Sequence, residues 1–433
     1  MREQVIIFWF RRDLRLQDNC GLYHALSKGI AVLPIFIFDR NIIDDLADKR
    51  DARLSFIHRE LGKINETLKT KGSKLKTIYA KPEEAFTNLL KDYDVNAVYT
   101  NRDYEPYAYE RDENIRLLLE KKGVEFKTYK DQVIFERNEI VKDNGSPYLV
   151  YTPYSKKWLA KVSKRDLEPY PTALLFDNWV KEPFEDIMSL KEMGFQESAI
   201  KIPTKNLETS ILKTYQEERD FPSKDSTSRI GVHLRFGTIS IREVAQQAAS
   251  KSLVFYKELI WREFFMMILF HYPRVINSNF NRKYDAVKWR NNEEDFERWK
   301  NGRTGYPLVD AGMRELNNTG FMHSRVRMVV ASFLCKHLLI DWKWGEGYFA
   351  EKLLDYDLSA NNGNWQWAAG TGVDAAPYFR VFNPTTQIEK FDKQELYIKK
   401  WVENYQDFSY PSEIVEHKYA RERALKVYKD ALI

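Results

Sequence analysis

Four short stretches in the second half of the chain hold residue types at spacings that chemistry can use. "LLDYDLSANNGNWQWAAGTG", from Leu353, sets Asp355 and Asp357 one residue apart, then an Asn-Asn-Gly-Asn run, then Trp365 and Trp367. Tryptophan is bulky and usually fills a core, so a pair beside a polar run needs a reason. The asparagines offer donors and acceptors together, which suits the edge of a heteroaromatic ring. Two aspartates could hold a hard cation, but no third carboxylate recurs nearby, and no metal site is expected. "FMHSRVRMVVASF" puts Ser324, Arg327 and Met328 on one helix face. Arg327 can pair with an acid of the Asp-Tyr-Asp stretch, the alternative being an internal salt bridge between packed helices. "ELIWREFF" puts Glu258, Trp261 and Arg262 at i, i+3 and i+4, a wall able to stack an aromatic ligand or, alternatively, an interfacial ion pair. "DSTSRIGVHLRFG" offers hydroxyls, a cation and backbone amides leading into a helix, as an anionic phosphate requires; a capped helix start is the plainer account. Taken together, a phosphate-holding loop, a polar clamp and many aromatics fit a large flavin-type cofactor.

The elements that must position these residues follow from periodicity. "QVIIFWF", "AVLPIFIF", "KLKTIYA", "VNAVYTN" and "VEFKTYK" are apolar or β-branched runs of strand length, separated by segments of helical period. That alternation predicts an α/β domain with a doubly wound parallel sheet, over residues 1–131. No Gly-x-Gly-x-x-Gly follows the first strand, so a common dinucleotide site is not expected there. "FRRDLRLQDN" follows it instead, at the strand end where such sheets meet ligands. Residues 132–206 are proline-rich and irregular, an ordered connector, and residues 207–433 are helical almost throughout. Eight of the 11 tryptophans lie from Trp261 onward, so the aromatic enrichment belongs to this helical domain.

Composition excludes several classes. With 433 residues, two to three domains are expected. The net charge of +5 permits a nucleic-acid partner without requiring one. Cys20 and Cys335 are the only cysteines, too far apart in sequence for a disulfide framework or zinc site. No run approaches the roughly 20 apolar residues that span a bilayer, and the N-terminal run is too short for a signal peptide. A soluble, monomeric, cytoplasmic protein with no membrane contact is expected.

Longer motifs carry a resemblance. "GRTGYPLVDAGMRELNNTGFMHSRVRMVVASFL", "LLIDWKWGEGYF", "LLDYDLSANNGNWQWAAGTGVDAAPYFRVFNPTTQ" and the N-terminal "FWFRRDLRLQDN" resemble the photolyase/cryptochrome family, most closely its class I cyclobutane pyrimidine dimer enzymes. The likeness runs from Ile6 to "IVEHKYARERALKVY", nearly the whole chain. It implies an α/β antenna domain, a helical domain that binds FAD, and DNA containing pyrimidine dimers as partner. The implied activity is a carbon–carbon lyase reaction, driven by light through electron transfer from reduced flavin.

Carried over by motif, Tyr215, Thr227, Ser228, Arg229, Ile230, Gly231, Phe255, Arg262 and Ser324 would line the cofactor, with Arg327 paired to Asp355. Asp357 would contact the cofactor and Asn361 its N5. Glu258 would reach both cofactor and lesion, Trp261 and Trp367 would wall the flipped lesion, and Met328 would touch it. Arg219, Arg325 and Arg380 would hold DNA phosphates, and Trp365, Trp342 and Trp289 would relay electrons. Two departures concern the cofactor: Gly231 stands where serine is common, and Ser324 where class I members have asparagine. The folate-binding residues of the family are missing from "YEPYAYERD" and "YPRVINS", so a second, antenna chromophore is of open identity and folate is not supported. A cryptochrome photoreceptor, a (6-4) photolyase and a redox flavoprotein unrelated to DNA are the rival readings, the last disfavoured by Glu258, Trp261, Met328 and Trp367 together. The chain ends soon after the helical domain, against the first; Met328 stands where the second needs a histidine.

Overall fold

The computed structural model describes residues 3–432. The chain divides into two compact units, residues 1–136, 161–206 and 230–250 in the first and residues 137–160, 207–229 and 251–433 in the second.

The first unit is built on five parallel strands: β1 Gln4–Phe10, β2 Ala31–Asp39, β3 Lys76–Ala80, β4 Asp94–Asn101 and β5 Glu125–Tyr129. Their spatial order is β3-β2-β1-β4-β5, so the winding reverses between β1 and β4. A strand buried on both faces reads as a continuous apolar run, and Val5 to Phe10 are all buried. The loop after β1 leaves the sheet at that reversal. Its polar groups pair among themselves: Asn101 Nδ2 donates to Asp13 Oδ2 at 2.6 Å and to Asn19 Oδ1 at 2.7 Å. Arg12 reaches Asp103 at 3.0 Å and Glu105 at 2.9 Å, while Arg11 binds Asp112 and the carbonyl of Asn101. The run "FRRDLRLQDN" therefore acts here as a brace for the loop ends. Asp131 adds a buried anchor, 2.7 Å from Arg15 and 2.8 Å from Arg242. Burial works against its charge, yet the two guanidinium groups outweigh burial and hold its pKa below the ordinary value.

The second unit is helical. Helix Leu253–His271 is apolar on nearly all sides and correspondingly buried. It lies against helix Leu358–Ala369 at close range, because Gly363 removes a side chain: a Cβ there would lie 2.1 Å from Phe265. Helix Leu358–Ala369 opens at Asp357, whose Oδ1 accepts from Ser359 N at 3.2 Å and Ala360 N at 3.4 Å. Helix Ser324–Ser332 opens at His323, whose Nδ1 accepts from Arg325 N at 3.2 Å. The expected continuation through "FLCKHLLIDW" is interrupted by one π turn, Phe333–His337. Its two buried polar side chains both find partners: Lys336 Nζ donates to the Arg380 carbonyl at 2.8 Å, and His337 meets His417 at 2.8 Å. Among the described residues no helix is long and apolar enough to cross a membrane.

The irregular stretch between the two sequence halves contains, among the described residues, one α-helix, Tyr151–Lys161, and two short 3-10 turns, Lys164–Leu167 and Thr172–Leu175. Tyr151, Tyr154 and Trp158 recur at i, i+3 and i+7 and turn one face to helix Leu253–His271. Tyr154 packs on Phe264 at 5.2 Å, and Trp158 Nε1 donates to Glu263 at 2.6 Å.

Candidate active site

Helix Ser324–Ser332 and the start of helix Leu358–Ala369 bring the basic and acidic signals together. Arg327 donates from Nε to the Met322 carbonyl at 2.7 Å and from Nη2 to Asp355 Oδ2 at 3.0 Å. The other carboxylate oxygen, Asp355 Oδ1, is buried and has no hydrogen-bond partner. A buried polar atom left unpaired is costly and normally answers to a ligand or water. One turn on, Asn361 is held by Glu346. Its Nδ2 donates to the Glu346 carbonyl at 3.0 Å and to Oε1 at 2.8 Å, which leaves Oδ1 as the free end. Burial raises the Glu346 pKa, against the lowering effect of the Asn361 bond.

Glu258 and Trp261 stand on helix Leu253–His271, both half-buried. Glu258 accepts from Arg219 at 2.5 Å. The Arg219 guanidinium also covers the Tyr215 ring at 5.1 Å, and Tyr215 meets Phe255 edge-on at 5.0 Å. Burial first, then the charge of Glu258, push the Tyr215 phenol up to about 12. Trp261 stacks on Tyr151 with ring centroids 3.6 Å apart and planes 5° apart. Arg325 donates to Asp220 at 2.7 Å and lies 3.9 Å from the Met328 sulfur. Trp367 is half-buried, with the exposed Arg380 6.0 Å from its ring.

Trp365 and Trp342 are more enclosed, whereas Trp289 is not. Trp365 is 2% exposed, with Phe349 at 4.9 Å and Trp299 at 6.2 Å, and Gly345 makes room for its ring. Trp342 is buried and donates from Nε1 to Asn279 at 2.8 Å. Trp289 is half-buried, edge-on to Tyr428 at 5.9 Å.

The Thr-Ser-Arg segment closes the 207–229 stretch of the second unit, with Thr227 and Ser228 half-buried. Arg229 takes a left-handed φ of 51° and reaches Asp225 at 3.0 Å. Ile230 and Gly231 cluster with the first unit, Ile230 buried and Gly231 opening the short helix Gly231–Arg235. Arg262 is half-buried and Ser324 is exposed. Glu346 and Tyr151 are two residues that the motifs did not single out. A glutamate four residues after Trp342 looks like an ordinary helix position, and Tyr151 lies in a stretch without chemical signal.

The residues fit a flavin. An unpaired carboxylate oxygen, a fixed amide acceptor, arginines and hydroxyls form the kind of donor and acceptor set that a ring edge, a ribityl chain and phosphates require. An α/β unit of five parallel strands and a helical unit with this constellation define a two-unit flavoprotein. Residues 6–173 match the DNA photolyase family model, and residues 255–409 match the FAD binding domain of DNA photolyase. The chain is 35% identical to a deoxyribodipyrimidine photo-lyase of Halobacterium salinarum, over 98% of this chain and 99% of that protein. It is similar in structure to a bacterial class III photolyase of Agrobacterium tumefaciens, with TM-score 0.88, 32% identity, and 100% and 98% of the two chains covered. An archaeal photolyase of Sulfolobus tokodaii, solved with two FAD molecules, gives TM-score 0.84 and 37% identity, covering 98% and 100%. The chain belongs to the DNA photolyase family. The structural likeness includes a class III member and so is not confined to the class I enzymes whose motifs it resembles.

Proposed function

We propose that the protein is a light-driven DNA repair lyase that splits cyclobutane pyrimidine dimers in DNA. Bound in its reduced FADH⁻ form, FAD would supply the excited-state electron that opens the two cyclobutane carbon–carbon bonds, with the electron returned afterwards and no net redox change. The protein supplies binding, orientation and electrostatics.

Tyr215, Thr227, Ser228, Arg229, Phe255, Arg262 and Ser324 hold the phosphate and adenosine side of the cofactor. Asp355, paired with the Arg327 guanidinium, and Asp357 would accept hydrogen bonds from it. The Asn361 amide oxygen would be placed to accept from the protonated N5 of reduced flavin. The dimer is flipped out of the duplex, because a base inside the stack is out of reach of the cofactor, and stacks on Trp261 and Trp367, each contact worth roughly 1–3 kcal/mol. Glu258 bonds a base edge, and Arg219, Arg325 and Arg380 hold backbone phosphates. Met328 offers apolar contact and no proton, which disfavours (6-4) photoproducts as substrate. Trp365, Trp342 and Trp289 carry electrons inward when the flavin is oxidised. The protein acts as a cytoplasmic monomer.

The single observation that supports this reading most is the pairing of an anchored Asn361 amide with an unpaired buried Asp355 oxygen on one helix start. The test gives reduced protein near-UV or blue light together with separate oligonucleotides bearing each lesion. Repair of the cyclobutane dimer alone is expected; repair of the (6-4) lesion with none of the dimer overturns it. FAD released on denaturation reports the cofactor count, one per chain for the helical unit and two if the first unit holds a light-harvesting flavin.

A further inference from the structure

Trp261 owes its orientation to a residue outside its own helix. Tyr151 lies beneath it at a 3.6 Å centroid separation and 5° between planes, and Tyr151 is itself held at both ends. Its hydroxyl donates to the Lys257 carbonyl at 2.8 Å, and its backbone N–H donates to Asp374 Oδ2 at 3.0 Å. Only 9% of Tyr151 is exposed, whereas Trp261 is half-buried. The helix that carries Tyr151 is fixed in turn by Tyr154 against Phe264 and by the Trp158–Glu263 bond of 2.6 Å. Phe265 adds a second stacked ring 5.5 Å from Trp261, with Phe264 edge-on at 5.6 Å. One indole face is thus covered by an immobile plate, and the rotamer is set before any ligand arrives.

We propose that Tyr151 is a positioning residue for lesion recognition, holding the Trp261 plane ready to stack on a flipped pyrimidine dimer. The proposal rests on the reading of Trp261 as a wall of the lesion pocket. A large side chain that must be ordered during binding weakens affinity by a factor of about two to ten. A side chain already ordered avoids that loss. Undamaged DNA, held by phosphate contacts, does not use Trp261 and gains nothing from the plate.

The experiment uses the full-length FAD-bound protein in the dark. Dissociation constants are measured for a duplex carrying one thymine cyclobutane dimer and for the same duplex undamaged. Tyr151→Leu keeps apolar volume but removes the ring; lesion affinity should fall about three- to tenfold, with undamaged binding and FAD content unchanged. Tyr151→Phe keeps the stack and should stay within about twofold of the parent protein. Trp261→Ala should lose at least as much as Tyr151→Leu, and the double variant no more than Trp261→Ala alone, because Tyr151 acts only through Trp261. If Tyr151→Leu is recovered without FAD, Tyr151→Met replaces it with the same expectation. An intact lesion preference in Tyr151→Leu beside a weakened Trp261→Ala overturns the proposal and leaves the pocket reading standing. A neutral Trp261→Ala overturns the pocket reading, and this proposal with it.

Discussion

The side-chain amide of Asn361 is tied twice to one residue, donating to the Glu346 carbonyl at 3.0 Å and to the Glu346 carboxyl at 2.8 Å. Turning the amide over would forfeit both bonds and put two acceptors against its oxygen. Glu346 therefore fixes which end of the Asn361 amide points away from it, and in the proposed reading that end, the oxygen, is the one offered to the flavin. Glu346→Ala removes the carboxyl bond and leaves the backbone carbonyl as the one remaining acceptor. The amide should then be held less firmly, and reduced flavin should re-oxidise in air faster by up to about tenfold, the worth of one hydrogen bond near 1.4 kcal/mol. Visible absorbance followed in the dark checks this. A parent-like time course would mean that Glu346 does not set the amide.

Arg219 and Glu258 form a second such pair, at 2.5 Å, and both are assigned to DNA. The pair must open for Glu258 to meet a base edge and for Arg219 to meet a phosphate. The two residues should then separate cleanly by substitution. Glu258→Ala should weaken binding of dimer-containing DNA by about tenfold and leave undamaged DNA nearly unchanged. Arg219→Gln should weaken both and lower the slope of log affinity against log salt by about one. Titrations at several salt concentrations distinguish the two; an unaltered slope removes Arg219 from the phosphate contacts.

The α/β unit was legible because buried parallel strands are nearly unbroken apolar runs, and "QVIIFWF" can be little else. The Arg327–Asp355 contact could be read as a pairing because Arg327 falls on a segment of clear helical period and Asp355 is one of two acids in the turn before the next helix. Tyr151 could not. Its helix is short, begins Tyr-Thr-Pro and lies in a proline-rich stretch, and its value comes from a ring 110 residues away in sequence. Glu346 escaped for a similar reason, since its partner Asn361 lies on another helix, which packs close to the Glu346 helix where Gly345 leaves room for Trp365. The π turn at Phe333–His337 has no periodic signature, because one wide turn does not disturb an apolar run.

The tryptophans make a kinetic prediction. Trp365 is enclosed and Trp289 half-buried, so a hole passed from the first to the last moves from the interior toward solvent. Trp289→Phe or Trp342→Phe should slow photoreduction of oxidised flavin greatly while leaving repair by chemically reduced protein nearly intact. Flash photolysis on both variants tests the route. If neither slows, electrons pass through another ring, and Trp299, 6.2 Å from Trp365, is the first to replace next.

His323 supplies the pH prediction. Its Nδ1 accepts from the Arg325 backbone N–H, and its Nε2 is buried without a partner. Burial, then the nearby Arg327, with Arg325 and Arg229 adding and Asp220 opposing, depress its pKa to about 4. In the unfolded chain the imidazole takes a proton near pH 6.5, while the folded protein keeps it neutral down to about pH 4. Stability from this residue is therefore complete above the unfolded value and is lost as pH falls through that window, by about 2 kcal/mol between pH 6.5 and pH 5. His323→Asn keeps an acceptor for the helix start and removes the titration. Thermal midpoints of the two proteins should differ most near pH 7.5 and converge as the pH approaches 5. A gap that stays constant across that range would mean that His323 is protonated as readily in the folded protein as in the unfolded chain.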